Sequence, residues 1–503
     1  MSQAAPIAPS ASLPLTAGQE QDRPSWLPYA EVLTVLVLAA ASLWAVRPLL
    51  EEWGLFRAYN AVGLGYQVQI FPLLSMRPLH LTPSALQWLV GGGQVWGVGI
   101  VAALMLVARY YVVRWAVTPV LSPTRRWAFA TACTVLIGWP ALWLARFHPA
   151  QLTATLLFVL LGLSIRLSIR RALLPYILGA LSFCALLMVY QALALLVLTL
   201  PILACLWVPP GQSADMRARL RRSARTAVMV GLGAVLYAAY VLVIYVVMDG
   251  AYEVSVVTGS AQTGLTALLR NIPLIYKAAF ERSPESLGLL IMLLCIAAHA
   301  LNRRGGAAHA VLGILAVLCL PLLSLIYLNP VHIQDPERIM FPIACGAVVV
   351  LFGLFALSVE GSDGRPIHIV FVGALLVSGL VSASEARGRW NFQKDLAKQV
   401  AELAATTGSR EIALRDETGL LGGMYTFFEG ILSDAVAVSG VEVRVGLCTS
   451  SGVDRLYRYT NQYPLIPRCS GSGEQNPQVL QAVARIQGER IVIERAVPRG
   501  AGQ

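Results

Sequence analysis

The chain has 503 residues, of which 57% are hydrophobic and only 13% charged, and it carries a net charge of +11. So few charges among so many apolar residues exclude an ordinary soluble enzyme and a disordered chain, and point to an integral membrane protein. The basic residues concentrate in short loops between apolar runs, so topology accounts for the positive charge and a nucleic-acid partner has no support.

The first 28 residues are polar and rich in Pro, Ala and Ser, and are read as a cytoplasmic tail. No small-residue cleavage site follows the first apolar run, which is therefore expected to be a retained span rather than a signal peptide. Eleven spans are expected: 29–50, 86–108, 127–145, 151–169, 172–189, 190–208, 226–248, 286–301, 308–328, 341–359 and 367–383. Runs of this kind approach the ~20 residues needed to cross a bilayer. The fold class is thus an α-helical polytopic membrane protein, with residues 29–383 as the membrane domain.

Arginine placement gives an orientation. Arg109, Arg114, Arg125 and Arg126, then Arg166, Arg170 and Arg171, then Arg217, Arg219, Arg221, Arg222 and Arg225, then Arg303 and Arg304 fall in alternate loops. Under the positive-inside rule these loops are cytoplasmic. An odd number of spans then puts residues 384–503 on the outer face, in a periplasm-like compartment.

Directly after the first span come two adjacent acids, Glu51 and Glu52. Carboxylates at a membrane surface are costly unless they are solvated or used. In the outer loop that follows, 51–85, Trp53, Phe56 and Tyr59 recur every third residue, so 53–61 reads as a short interfacial helix, interrupted by Gly63, Gly65 and Pro72. The other long outer loop, 249–285, places Leu265, Leu268, Leu269, Ile272 and Ile275 at helical spacing, with Pro273 as a kink. Between the fifth and sixth spans the sequence MVYQ leaves Tyr190 and Gln191 at a tight helical hairpin on the outer side.

Residues 384–503 read as a small α/β domain with a mainly parallel sheet. LAKQVAELAAT, GMYTFFEGIL and PQVLQAVARIQ have helical patterns, and EIALRD, VEVRVGL and RIVIER have strand patterns. Of the eight cysteines, six lie in spans, where a free thiol packs as a small apolar group. The remaining two, Cys448 and Cys469, lie in the exported domain and are expected to form a disulfide.

Outer-side groups able to carry chemistry are Glu51, Glu52, Arg77, His80, Arg146, His148, Tyr190, Gln191, His332 and Arg338. Acids, cations and imidazoles gathered on one face are what sugar transfer from a lipid phosphate requires. A carboxylate takes the acceptor proton, cations neutralise the departing phosphate, and aromatic rings stack on the sugar. Each also has a plainer reading: solvated helix-end acids, a headgroup anchor at Arg77, structural histidines, a hairpin cap at Tyr190 and Gln191, and a local ion pair at Arg338.

The acidic pair in the first outer loop, the RPL element at Arg77–Leu79, the Tyr-Gln dipeptide and PERIMFPI at Pro336–Ile343 resemble motifs of the GT-C membrane glycosyltransferases. Over residues 30–380 the chain is most similar to the serotype-converting O-antigen glucosyltransferases of the Gtr type-II kind. The resemblance implies a polyprenyl-phosphate sugar donor, transfer to a surface polysaccharide or glycolipid on the periplasmic face, and inversion at the anomeric carbon. It makes Glu52 or Glu51 the general base and the cations and histidines the donor-phosphate and substrate contacts. The pair in those enzymes more often contains Asp, which leaves open the choice of base and the use of a divalent cation such as Mg or Mn. Two alternatives keep their chemistry on the same face: a transporter or flippase of a lipid-linked saccharide, and a polysaccharide polymerase. A transporter calls for charge near mid-membrane, and the predicted spans are nearly free of it.

Overall fold

The structure, a computed structural model, describes residues 24–49, 51–138, 148–169, 172–206, 215–248, 269–277, 279, 318–326, 336–357, 365–418, 421, 431–449, 479–488 and 490–496. Among these, five helices are long and apolar enough to cross a membrane. The protein is therefore a helical membrane protein with a small sheet. Of the other predicted spans, some are shorter or broken, and 286–301 lies outside the described residues.

Helix α1 spans Leu27–Ala45. It stops five residues before the expected end because Pro48 follows Arg47, and residues ahead of a proline are pushed out of the α region. Val46 is already extended, with ψ 120°. Helix α2, Glu51–Val62, matches the predicted interfacial helix. Its aromatic stripe is turned into the protein rather than onto a membrane surface: Trp53, Phe56 and Tyr59 are 4%, 2% and 1% exposed. Gly63 ends it at φ 59°, and the short α3, Gly65–Ile70, follows.

The second span departs most from expectation. Instead of one helix over 86–108 there are two, α4 at Thr82–Gly91 and α5 at Gly97–Val117. Gly92 and Gly93 take φ 57° and 78°, a left-handed turn that reverses the chain. The return is so tight that a Cβ on Gly97 would lie 2.2 Å from the Gln87 carbonyl oxygen. The span thus moves about ten residues along the sequence, and Arg109, expected in a loop, falls inside α5.

Helix α6 (Pro123–Gly138) starts four residues before the predicted third span, whose residues 139–145 lie outside the described residues, and α7 (His148–Ile169) and α8 (Leu173–Val189) follow the predicted spans closely. The expected sixth span is instead a broken run: a 3₁₀ turn at Gln191–Leu193, then α9 (Ala194–Leu198) and α10 (Leu200–Leu206). Helix α11, Met216–Val247, has 32 residues and takes the predicted loop arginines 217–225 into its first turns. Of the loop 249–285, residues 269–277 are helical, as the spacing predicts. Of 308–328, a 3₁₀ stretch at Leu320–Ile326 is described. Helix α12 is Pro336–Leu357, and α13 runs unbroken through Arg365–Thr407. At 43 residues α13 is about 65 Å long, so the last span and the first helix of the C-terminal region are one rod.

Large apolar side chains on these helices face outward, among them Leu33, Leu36, Leu242, Val246 and Val247. A helix apolar all round needs an apolar exterior, which a bilayer supplies.

Beyond α13 lie β1 (Glu411–Asp416), α14 (Ile431–Val438), β2 (Arg444–Thr449), β3 (Leu480–Gln487) and β4 (Arg490–Arg495). The sheet order is β2-β1-β3-β4. β1 pairs in parallel with both β2 and β3, and β3 pairs antiparallel with β4. The sheet is mainly parallel, as expected, but PQVLQAVARIQ supplies strand β3 rather than a helix. Its Val and Ile suit a strand, and Gly488, at φ 64°, turns it directly into β4. The Gln399 side chain of α13 bonds the outer edge of β4, accepting from Ile493 N at 2.8 Å and donating to Ile491 O at 3.0 Å. This covers an edge that is otherwise open to pairing with another chain.

Candidate functional site

The carboxylate of Glu52, second residue of α2, is turned inward and 2% exposed. It meets His148, first residue of α7, with Oε1 3.7 Å from Nδ1. His148 is fully buried and is followed by Pro149, whose fixed φ and missing N–H suit the first helical turn. At 3.7 Å the contact is longer than a hydrogen bond. Among the described residues neither ring nitrogen of His148 has a hydrogen-bond partner.

The neighbours of Glu52 on α2 lock that helix to the C-terminal region. Trp53 donates its indole N–H to Gln393 Oε1 on α13 at 2.9 Å. Arg57 reaches Asp434 on α14 at 3.0 Å and Glu442 at 2.6 Å. Gly54 leaves room beside them, since a Cβ there would stand 2.8 Å from Asp434 Oδ2 and displace that carboxylate. Hydrogen bonding to Asp434 raises the pKa of Arg57. Burial raises that of Asp434, outweighing the opposing pull of Arg57.

A second polar group forms where the chain after α3 crosses the α8 hairpin. His80 donates from Nδ1 to Val189 O at 2.8 Å, and Leu79 N bonds Met188 O at 3.2 Å. The His80 ring lies 6.0 Å from that of Tyr190, which lies 6.2 Å from Phe341 of α12. Gln191 donates to the Tyr237 hydroxyl, which donates to Met76 O at 3.1 Å, and the Tyr240 hydroxyl donates to Ser75 O at 2.6 Å. Arg77 sits half-buried in this strapped segment.

The residues predicted from sequence thus fall into two sets. Glu52 joins His148, and His80, Tyr190 and Gln191 join the segment of Arg77. The side chains of Glu51, Arg338 and Cys448, and residues Arg146, His332 and Cys469, lie outside the described residues, so the disulfide expectation does too.

One residue was missed by sequence reasoning. Arg109 of α5 is wholly buried, donating from Nη2 to both Gln151 O and Gln151 Oε1 at 2.6 Å and from Nε to Thr155 Oγ1 at 3.4 Å. Its Nη1 has no hydrogen-bond partner among the described residues, and its ionisable neighbours are the thiols Cys133 and Cys345. Gln151 and Thr155 share an α7 face with His148, at i, i+3 and i+7, so Arg109 lies one to two turns deeper than the Glu52 contact. Correct placement of the Gly91–Gly93 break is the signal that puts Arg109 in a span.

Among the described residues, no three His, Cys, Asp or Glu side chains gather to hold a metal. Glu52 and His148 offer two donors, short of a set that fits a divalent cation. Compared with known proteins, the chain matches no family model and no curated sequence.

Proposed function

We propose that the protein is a membrane glycosyltransferase of GT-C type that moves a sugar from a polyprenyl-phosphate donor to a surface polysaccharide or glycolipid at the periplasmic face of a bacterial inner membrane. The observation that carries this reading is Glu52, a carboxylate withdrawn from water at a helix entrance with an imidazole beside it. In the proposed step the acceptor hydroxyl oxygen bonds the anomeric carbon from the face opposite the phosphate. The carbon–oxygen bond to phosphate breaks, its electron pair leaves on the phosphate, and the hydroxyl proton goes to Glu52. A single displacement of this kind inverts the anomeric centre. His148 orients the carboxylate and faces the proton that Glu52 receives. His80, Tyr190 and Gln191, with Arg77, are the second polar group, and in this reading they contact sugar or phosphate.

Arg109 favours a second reading. A buried cation inside a span marks substrate or ion pathways in transporters, which is what a flippase of a lipid-linked saccharide would show. Purified protein in vesicles separates the two. A transferase releases polyprenyl phosphate from a polyprenyl-phosphate hexose in step with acceptor glycosylation. A flippase moves the intact lipid between leaflets and releases none.

A further inference from the structure

Where α1 ends, two guanidinium groups converge on its last carbonyls. Arg47 donates from Nη1 to Leu43 O at 2.8 Å and to Val46 O at 2.7 Å, and Arg387 of α13 donates from Nη1 to Trp44 O at 3.1 Å. Both lie by the indole of Trp390, with Cζ 6.0 Å and 4.4 Å from the ring centre, and Lys394 brings its ammonium to 4.9 Å from the same ring.

Helix C-terminal carbonyls and an aromatic face both attract cations, which explains why the three collect here. It does not neutralise them. None of the three has a carboxylate within ion-pair distance among the described residues. Trp390 is 93% buried by its 7% exposure, and its indole N–H has no hydrogen-bond partner among the described residues. Gly99 of α5 makes room for the arrangement, since a Cβ there would stand 2.9 Å from Arg47 Nη1. Spare N–H donors on two planar forks, an ammonium and an indole N–H match a tetrahedral oxyanion, for which guanidinium is the preferred partner. Trp and Arg at the end of an apolar helix also place the site at headgroup depth. The indole bond from Trp53 to Gln393, at 2.9 Å, ties the segment carrying Lys394 to the residue after Glu52.

We propose that Arg47, Arg387 and Lys394, gathered on Trp390, hold the phosphate of a membrane lipid, and that this lipid is the polyprenyl-phosphate donor. The second half rests on the glycosyltransferase reading above. It assigns the donor phosphate to cations on the segment that Gln393 ties to Trp53, and leaves Arg77 to the second polar group.

The test uses the full-length protein purified in detergent, with lipid retention measured by native mass spectrometry. The probes are polyprenyl monophosphate, phosphatidylglycerol and inorganic phosphate. Wild type is expected to retain polyprenyl monophosphate, and the double variant R47Q/R387Q to retain it at least about tenfold less, as expected when charge-assisted bonds to phosphate are removed. R47K/R387K keeps the charge and controls for folding, and W390F, which keeps an aromatic face with a smaller ring and removes the N–H, is expected to weaken retention severalfold. Equal retention by wild type and R47Q/R387Q overturns the site. Retention of phosphatidylglycerol equal to that of polyprenyl monophosphate, or binding of inorganic phosphate alone, overturns the donor assignment. Because Glu52→Gln leaves these cations intact, lost transfer with normal lipid retention in that variant separates the base assignment from this site.

Discussion

Glu52 and His148 face each other across 3.7 Å inside the protein, one from the second residue of α2 and the other from the first of α7. Their meeting brings the chain after the first span against the entrance of a buried helix and gives an otherwise surface-type acid an interior position. His148→Gln keeps a polar side chain of similar reach and removes the imidazole. Sugar transfer by that variant is expected to fall ~10- to 100-fold, with polyprenyl monophosphate retention unchanged. Initial rates and lipid retention on one preparation check this; a rate within twofold of wild type makes His148 a packing residue only.

Asp434 and Arg57 give a pH-dependent latch between α2 and the C-terminal region. A carboxyl whose folded pKa is raised binds its proton more tightly when folded. Its contribution to stability is therefore complete below the ordinary value of 3.8 and declines as pH rises through the higher folded value. D434N removes that titration, so the melting temperature of wild type relative to D434N should drop as pH is raised from below 3.8. Arg57→Ala, at a largely exposed pair, should cost about 1 kcal/mol or less. A wild-type advantage that grows with pH contradicts the account.

Gln151 supplies the shorter of two side-chain acceptors for buried Arg109. Gln151→Leu keeps the volume and the backbone acceptor but removes one hydrogen bond from a buried charged donor, expected to cost about 1–3 kcal/mol. The double change Gln151→Leu with Arg109→Met replaces the group by apolar volume and should recover most of that loss. Detergent or thermal unfolding of the two variants measures the difference.

The α4–α5 turn depends on Gly97, where a Cβ would stand 2.2 Å from a backbone oxygen that has no freedom to move aside. Gly97→Ala is expected to destabilise by about 1–3 kcal/mol, whereas Gly231→Ala, with open space around it, should be neutral or slightly stabilising. Thermal unfolding of both variants ranks them.

Sequence patterns locate much of the fold wherever one local signal acts alone. Helices α7 and α8 are mostly apolar runs, β4 is a short β-branched run, β1 alternates apolar and polar residues, and α2 shows its aromatic period plainly. The second span is misplaced because hydropathy averages over Gly91–Gly93 without registering the left-handed turn that two of them take. That same shift hides Arg109. Loss of apolar character near residue 384 reads as a boundary, yet no proline interrupts α13 between Pro366 and its end, where Gly408, at φ 66°, stops it. β3 carries a helix-compatible period and becomes a strand through its partners β1 and β4, which only tertiary pairing supplies. Among the candidate site residues, the acid and the histidine are each visible as residue types. Their contact is not, because it depends on how α2 folds back onto the mouth of α7.

The most direct test of the central claim is the initial rate of hexose transfer from a polyprenyl-phosphate hexose to its glycan acceptor by Glu52→Gln protein. Because Gln preserves shape and hydrogen bonding but takes no proton, the rate should fall ~10²- to 10⁴-fold, with folding and lipid retention intact and with Glu51→Gln closer to wild type. A Glu52→Gln rate within about threefold of wild type, well short of the loss expected for an acid–base group, contradicts the assignment of Glu52 as the base.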